Sequence, residues 1–149
     1  MIELIYGSSA CQPMTWEQIE DLLRTSRAKN AAKGVTGLLL YQDGSFIQAL
    51  EGEAAAVEEL FREIAADPRH SGVLVLSRGE IERRSFADWS MGFHHLPPGH
   101  HAELDGLFEL SRSSLDAHVP DDVSLRTRAL LRSFYDITSD ESSGRKTAP

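Results

Sequence analysis

The sequence predicts an α+β fold: a ferredoxin-like βαββαβ sheet with an added strand, two helices on one face and a C-terminal helical cap. Three observations lead there. Apolar residues alternate with period two at 2–6 and 45–51, they recur at spacings of three and four at 19–30 and 57–65, and these segments follow one another in the order strand, helix, strand, strand, helix, strand. A chain of 149 residues with 41% hydrophobic content suits one compact domain with a short appendage.

Ile2, Leu4 and Tyr6 share one side of the first strand, over 2–6, which ends at Gly7. Thr15 and Gln18 have the spacing of a capping box. Ile19, Leu22, Leu23, Ser26 and Asn30 then define a helix that Gly34 stops, with Asn30 on or near its apolar side. Val35–Tyr41 reads as a buried strand, Asp43-Gly44 as a hairpin turn, and Ser45–Glu51 as the returning strand. In that strand Gln48 falls in the row Phe46–Gln48–Leu50, where periodicity calls for a third hydrophobe. A buried amide without partners costs roughly 1–3 kcal/mol, so Gln48 is expected to hydrogen-bond a neighbour or a ligand.

The stretch 54–66 presents Val57, Leu60, Phe61 and Ile64 on one helical face and ends at Asp67-Pro68. A fourth strand is expected at Val73–Leu76, continuing past Gly79 towards Arg84, and a fifth over 89–94 with Trp89, Met91 and Phe93 pointing one way. Beyond Pro97-Pro98-Gly99, helices are expected at 102–114 and 123–135, and a disordered tail over 138–149. The chain is therefore expected to divide into a compact unit over 1–96, a helical cap or output segment over 97–137, and the tail.

With 15 Lys+Arg against 23 Asp+Glu, the net charge of −8 opposes binding to nucleic acid or an anionic membrane. The lone Cys11 excludes an internal disulfide framework, and no apolar run reaches the roughly 20 residues of a membrane span. A cytoplasmic protein is expected. No phosphate loop, catalytic triad or carboxylate pair stands out, and His94, His95, His100 and His101 lack a zinc-site spacing, so no metal is expected.

In ferredoxin-like order the first and third strands are central neighbours, which sets Tyr6 beside Gln48 beneath the two helices. A flat ligand between the helices would meet the Gln48 and Asn30 amides at its polar edge and Leu22 and Ile64 on its faces. The plainer readings stand beside this one. Tyr6 and Gln48 satisfy each other in a core, Asn30 caps a helix, Trp89 and Met91 are core, and Asp67, Arg69 and His70 form a solvated turn.

These residues also carry a resemblance. Tyr6-Gly7-Ser8-Ser9-Ala10, Ser26-Arg27-Ala28-Lys29-Asn30 leading to Gly34-Val35-Thr36-Gly37, Gly44-Ser45-Phe46-Ile47-Gln48-Ala49-Leu50-Glu51-Gly52, Asp67-Pro68-Arg69-His70 and Arg84-Ser85-Phe86-Ala87-Asp88-Trp89-Ser90-Met91 stand in one order over about residues 1–96. In this the chain resembles the BLUF domains, blue-light sensors that use FAD. The resemblance implies that Tyr6 is the photochemical electron donor and Gln48 the switching amide between it and the flavin's N5/C4 carbonyl edge. It implies further that Asn30 holds the polar edge of the isoalloxazine ring, that Leu22, Phe46 and Ile64 line the ring, that Asp67 and His70 fall at flavin contacts and that Ser8 belongs to the same region, while Arg69 beside them is by position a candidate contact to a phosphate or ribityl chain. Trp89 and Met91 match residues of the signal relay.

Two departures bear on the cofactor. Lys29 stands where many members have a second Asn and would supply a charge-assisted donor. Glu63 stands where some have a basic flavin contact, with Arg62 facing elsewhere, which leaves FMN and riboflavin beside FAD as occupants. The roughly 50 residues after 96 are too few for a cyclase or phosphodiesterase domain, so the expectation is a sensor that is not itself an enzyme. It would signal by self-association or by binding a separate regulatory protein through its C-terminal helices or its sheet. The rival readings are a small-molecule-binding or adaptor domain without photoactivity and an enzyme acting on a phosphate or acyl substrate through Arg69 and Asn30.

Overall fold

The alternation at the N-terminus becomes strand β1 (Ile2–Ala10), the second strand of a six-stranded sheet. The computed structural model describes residues 1–12, 14–42, 44–87, 90–93, 107–109 and 111–147. Helix α1 (Trp16–Lys33) starts behind a reciprocal cap in which Thr15 Oγ1 accepts the Gln18 N–H at 3.2 Å and Gln18 Oε1 accepts the Thr15 N–H at 2.9 Å. It stops where Gly34 takes φ 68°, a conformation that would strain any side-chain-bearing residue. Strands β2 (Thr36–Gln42) and β3 (Ser45–Gly52) form the hairpin, with Gly44 at φ 82°; Asp43 lies outside the described residues. Helix α2 (Ala54–Ala66), β4 (His70–Glu80), β5 (Ser90–Phe93), β6 (Leu107–Glu109), α3 (Arg112–His118) and α4 (Leu125–Thr147) complete the order.

The strands lie as β4-β1-β3-β2-β5-β6. The first four pair antiparallel in ferredoxin-like order, and β5 and β6 add on by parallel pairing. Side-chain alternation gives the sheet two apolar faces. One carries Ile2, Leu4, Tyr6, Leu39, Phe46 and Leu50 against Ile19, Leu22 and Leu23 of α1 and Val57 and Leu60 of α2. The other carries Ile5, Leu38, Leu40, Ile47 and Ala49 against Leu115 of α3, Leu131 of α4 and Phe86, Val119 and Val123 from the connecting segments. Leu131 is 1% exposed, so Leu131→Ala is expected to cost about 2–5 kcal/mol, read as a lower urea midpoint.

Four expectations change. The first strand, expected to end at Gly7, runs on to Ala10 because pairing with β3 and β4 continues through Ser9 and Ala10. The helix expected at 102–114 is replaced over 107–109 by β6, and the helix lies at 112–118 instead. Pairing with β5 satisfies backbone groups along an open edge, a gain that local propensity does not register. The last helix outruns its expected end at 135, and the stretch expected as a disordered tail from 138 is helical to Thr147. Thr138 anchors the start of the extension. It is buried, with its Oγ1 3.0 Å from Gln42 Oε1 of β2 and 2.7 Å from the Phe134 carbonyl, so a tertiary contact overrides the Ser-rich composition. The fourth strand starts at His70 and ends at Glu80, with register shifts against β1, and does not reach Arg84.

Candidate functional site

Tyr6 and Gln48 face each other across the β1–β3 ladder on the side of α1 and α2. The Tyr6 hydroxyl donates to Gln48 Oε1, and the two residues are 1% and 5% exposed. Burial, with the negative charge of Asp67 adding to it, pushes the phenol well above its ordinary value of 10.0. Tyr6 therefore stays protonated at any ordinary pH, and its hydrogen remains shared with the amide.

These two side chains belong to the floor of a cleft between the two helices, together with Leu39 and Phe46. One wall is the stripe of α1 made by Leu22, Thr25, Ser26, Lys29 and Asn30, spaced three and four apart so that they stack on one face. The other is Leu60, Glu63 and Ile64 of α2, and the turn Asp67, Arg69 and His70 closes one end. The enclosed space is about 60 Å³, and about 580 Å³ when the open mouth between the helices is counted.

Inside this cleft the Nδ2 of Asn30 is buried and has no hydrogen-bond partner among the described residues. An amide hydrogen left in that condition is costly and marks a place where a ligand acceptor fits. Asn30 is no mere helix cap, since the cap is Gly34.

At the closed end Asp67 grips Arg69 by side chain and backbone: Arg69 Nη2 lies 2.6 Å from Oδ2, and the Arg69 N–H donates to Oδ1 at 2.9 Å. These bonds hold the Asp67 carboxyl down at about 2, against an ordinary 3.8. An acid whose folded value is depressed stabilises the fold above its unfolded value and loses that contribution as pH falls through the folded one. Urea unfolding between about pH 5 and pH 2 is expected to show a decline that Asp67→Asn reduces, a modest one because the pair is partly exposed. His70 Nδ1 lies 2.9 Å from Ser8 Oγ, and burial pulls the imidazole below its ordinary value. At the rim Lys33 pairs with Glu59 at 3.1 Å and with Glu63 at 3.5 Å, which commits Glu63 to a protein cation.

Ten residues expected at the site, Tyr6, Leu22, Lys29, Asn30, Phe46, Gln48, Ile64, Asp67, Arg69 and His70, thus line one cleft. Ser8 does not line it and touches the wall residue His70 instead. Met91 has its backbone in β5 opposite Leu39, whereas Trp89 and the four histidines at 94, 95, 100 and 101 lie outside the described residues. Among the described residues no group of three or more His, Cys, Asp or Glu is placed to hold a metal, and no helix is long and apolar enough to cross a membrane. Thr25 and Leu39 also line the cleft without a role expected from the sequence, and Leu60 joins it from the apolar face expected of the second helix. Thr25 follows Leu22 by three positions, and the hairpin register that sets Gln42 opposite Ser45 sets Leu39 opposite Gln48, so both were within reach of the pattern.

Comparison with known proteins agrees with this geometry. "Photoactivated adenylate cyclase subunit beta" of Euglena longa is 34% identical over 129 residues, covering 80% of this chain but only 14% of that protein's length. The solved structure "BlrB - a BLUF protein, dark state structure" is 40% identical with a TM-score of 0.58, covering 62% of this chain and 70% of that one. "Klebsiella pneumoniae BlrP1 with FMN and cyclic diGMP, no metal ions" is 28% identical with a TM-score of 0.69, covering 99% of this chain and 36% of that one. The profile described as "BLUF: Sensors of blue-light using FAD" matches residues 1–92, and the chain belongs to that family of light-sensing domains.

Proposed function

We propose that the protein is a blue-light photoreceptor that holds a flavin, FAD or FMN, between α1 and α2 and reads its excitation through the Tyr6–Gln48 pair. The observation that carries this reading is the buried hydrogen bond from Tyr6 to Gln48 in a cleft that also contains the Asn30 amide, unpartnered among the described residues. The residues present fit the ring. Asn30 Nδ2 is a donor for a ring carbonyl, Lys29 stands beside it as a second donor, and Leu22, Phe46 and Ile64 supply apolar contact for the faces. Asp67, Arg69 and His70 would border the cofactor at the closed end, with Ser8 steadying His70.

When bound, the flavin supplies absorption of blue light and an excited state that draws an electron. Tyr6 is the residue to give one. A phenol in so buried a place would not keep a charge, so loss of the electron to the flavin would be followed by loss of the proton to it, and both would return to Tyr6 when the ground state is restored. Every group then regains its oxidation state, and the net change is a rotated or tautomerised Gln48 amide whose hydrogen bonds are rearranged.

The sheet supports a route outward from that amide. Tyr6, Gln48, Leu39 and Met91 are consecutive register partners across β1, β3, β2 and β5, so a change at Gln48 acts along one row towards β5, with Met91 and Trp89 as the relay. The protein is not itself an enzyme in this reading. It passes the signal by contact, to a second copy or a separate regulator, through the C-terminal helices or the sheet, where Ile137 and Leu74 are exposed apolar residues.

The test is the visible spectrum of the purified protein in darkness, after blue light, and during dark recovery. A flavin band that shifts to the red and returns supports the photoreceptor. Flavin without a shift indicates a flavoprotein of another kind, and failure to take up flavin on reconstitution favours a core pair without a cofactor.

A further inference from the structure

The two strands that carry the Tyr6–Gln48 pair carry a second pair three residues along, Glu3 opposite Glu51. An odd offset sends these carboxylates to the other face of the sheet, beneath α3 and α4. They are 9% and 0% exposed. Like charges directly opposite in a ladder repel, and burial penalises each of them, so the fold keeps this pair only where definite partners hold it.

Each carboxylate holds a different element. Glu51 Oε2 accepts the Ser85 N–H at 2.6 Å and Oε1 accepts the Phe86 N–H at 2.8 Å, which ties the segment between β4 and β5 to β3. Arg84 reinforces the tie, donating to the Glu51 carbonyl at 2.9 Å and the Gly34 carbonyl at 2.7 Å. Glu3 Oε1 accepts the Thr127 hydroxyl at 2.6 Å, which fastens the first turn of α4 to β1. The pair thus stands between the strands of the photoactive residues and the two segments that leave the sheet.

We propose that Glu51 and Glu3 are positioning residues that divide the light signal, Glu51 passing the change at Gln48 to the segment ahead of β5 and Glu3 passing the change at Tyr6 to α4. This rests on the photoreceptor reading and adds two separable outputs to it. Neither carboxylate lines the flavin cleft, so substituting one leaves cofactor binding and the size of the red shift intact.

The experiment is light-minus-dark hydrogen exchange on the full-length flavin-loaded protein, with dark recovery followed in parallel, for wild type, Glu51→Gln and Thr127→Val. In Glu51→Gln one amide of the pair Ser85 and Phe86 loses its acceptor. The light-induced change in exchange at Ser85, Phe86 and β5 should vanish while that in α4 persists, and recovery should change by about threefold to tenfold, the effect of one hydrogen bond made in only one of two states. Thr127→Val should do the converse, losing the response in α4 alone. If Glu51→Gln does not fold, Arg84→Lys loosens the same segment without touching the carboxylate and is expected to give the same result. Wild-type recovery and a wild-type exchange response at Ser85 and Phe86 would overturn the proposal, as would an equal loss of protection everywhere in darkness. A wild-type protein with no light shift would overturn the photoreceptor reading itself, which separates the two failures.

Discussion

Tyr6→Phe is expected to bind flavin with an unchanged dark spectrum and to show no reversible red shift after blue light. The substitution keeps the ring that packs against Phe61 at a centroid distance of 5.6 Å and within the cluster of Ile2, Leu4 and Leu50, so the sheet has no reason to rearrange. It removes the one hydroxyl bonded to Gln48 Oε1 and with it the proposed source of electron and proton. The orphaned amide oxygen should lower stability by about 1–3 kcal/mol, measurable by urea unfolding. A difference spectrum before and after illumination decides the matter: a normal shift in the variant would sink the role given to Tyr6.

Asn30→Leu is expected to move two quantities in opposite directions. The side chain sits 3% exposed with its amide nitrogen unpartnered among the described residues, a condition that costs about 1–3 kcal/mol in the flavin-free protein. Leucine has a similar volume and nothing to satisfy, so flavin-free Asn30→Leu should be the more stable protein. Flavin affinity should fall about tenfold, as expected when one well-placed hydrogen bond in a desolvated site is lost. Urea unfolding of the flavin-free forms and fluorescence titration with FAD and FMN read the two effects. A variant that is less stable without flavin yet binds it normally would make Asn30 a structural amide and remove it from the site.

Much of this site was legible because its parts repeat on short periods. The strand alternation that groups Tyr6 with Ile2 and Leu4, the helical spacing from Leu22 to Asn30, and a hairpin turn at Gly44 are local patterns, and ferredoxin-like strand order then brings Tyr6 to Gln48. The C-terminal third was read less well for a matching reason. Thr138 meets Gln42 across 96 positions and Thr127 meets Glu3 across 124, contacts without local signature that nonetheless fasten α4. The short strand 107–109 likewise exists through its pairing with 91–93. The chain also conceals the purpose of Glu51, since a glutamate near a strand end reads as solvated until its two backbone donors from 85 and 86 come into view.

Those two threonines make α4 a beam resting on two pins. One pin stands on β1 and the other on β2, the strands that flank Gln48's own strand on either side. At 1.5 Å per residue the pins are about 16 Å apart along the axis, and the far end at Thr147 lies about 30 Å from the first. A slip of about 1 Å between β1 and β2 across the helix axis would therefore swing the beam by about 3.5° and carry its end at Thr147 nearly twice as far as the sheet itself had moved. Such leverage would enlarge a small rearrangement of the sheet towards the C-terminal end of α4, the kind of movement that the proposed signalling by contact requires.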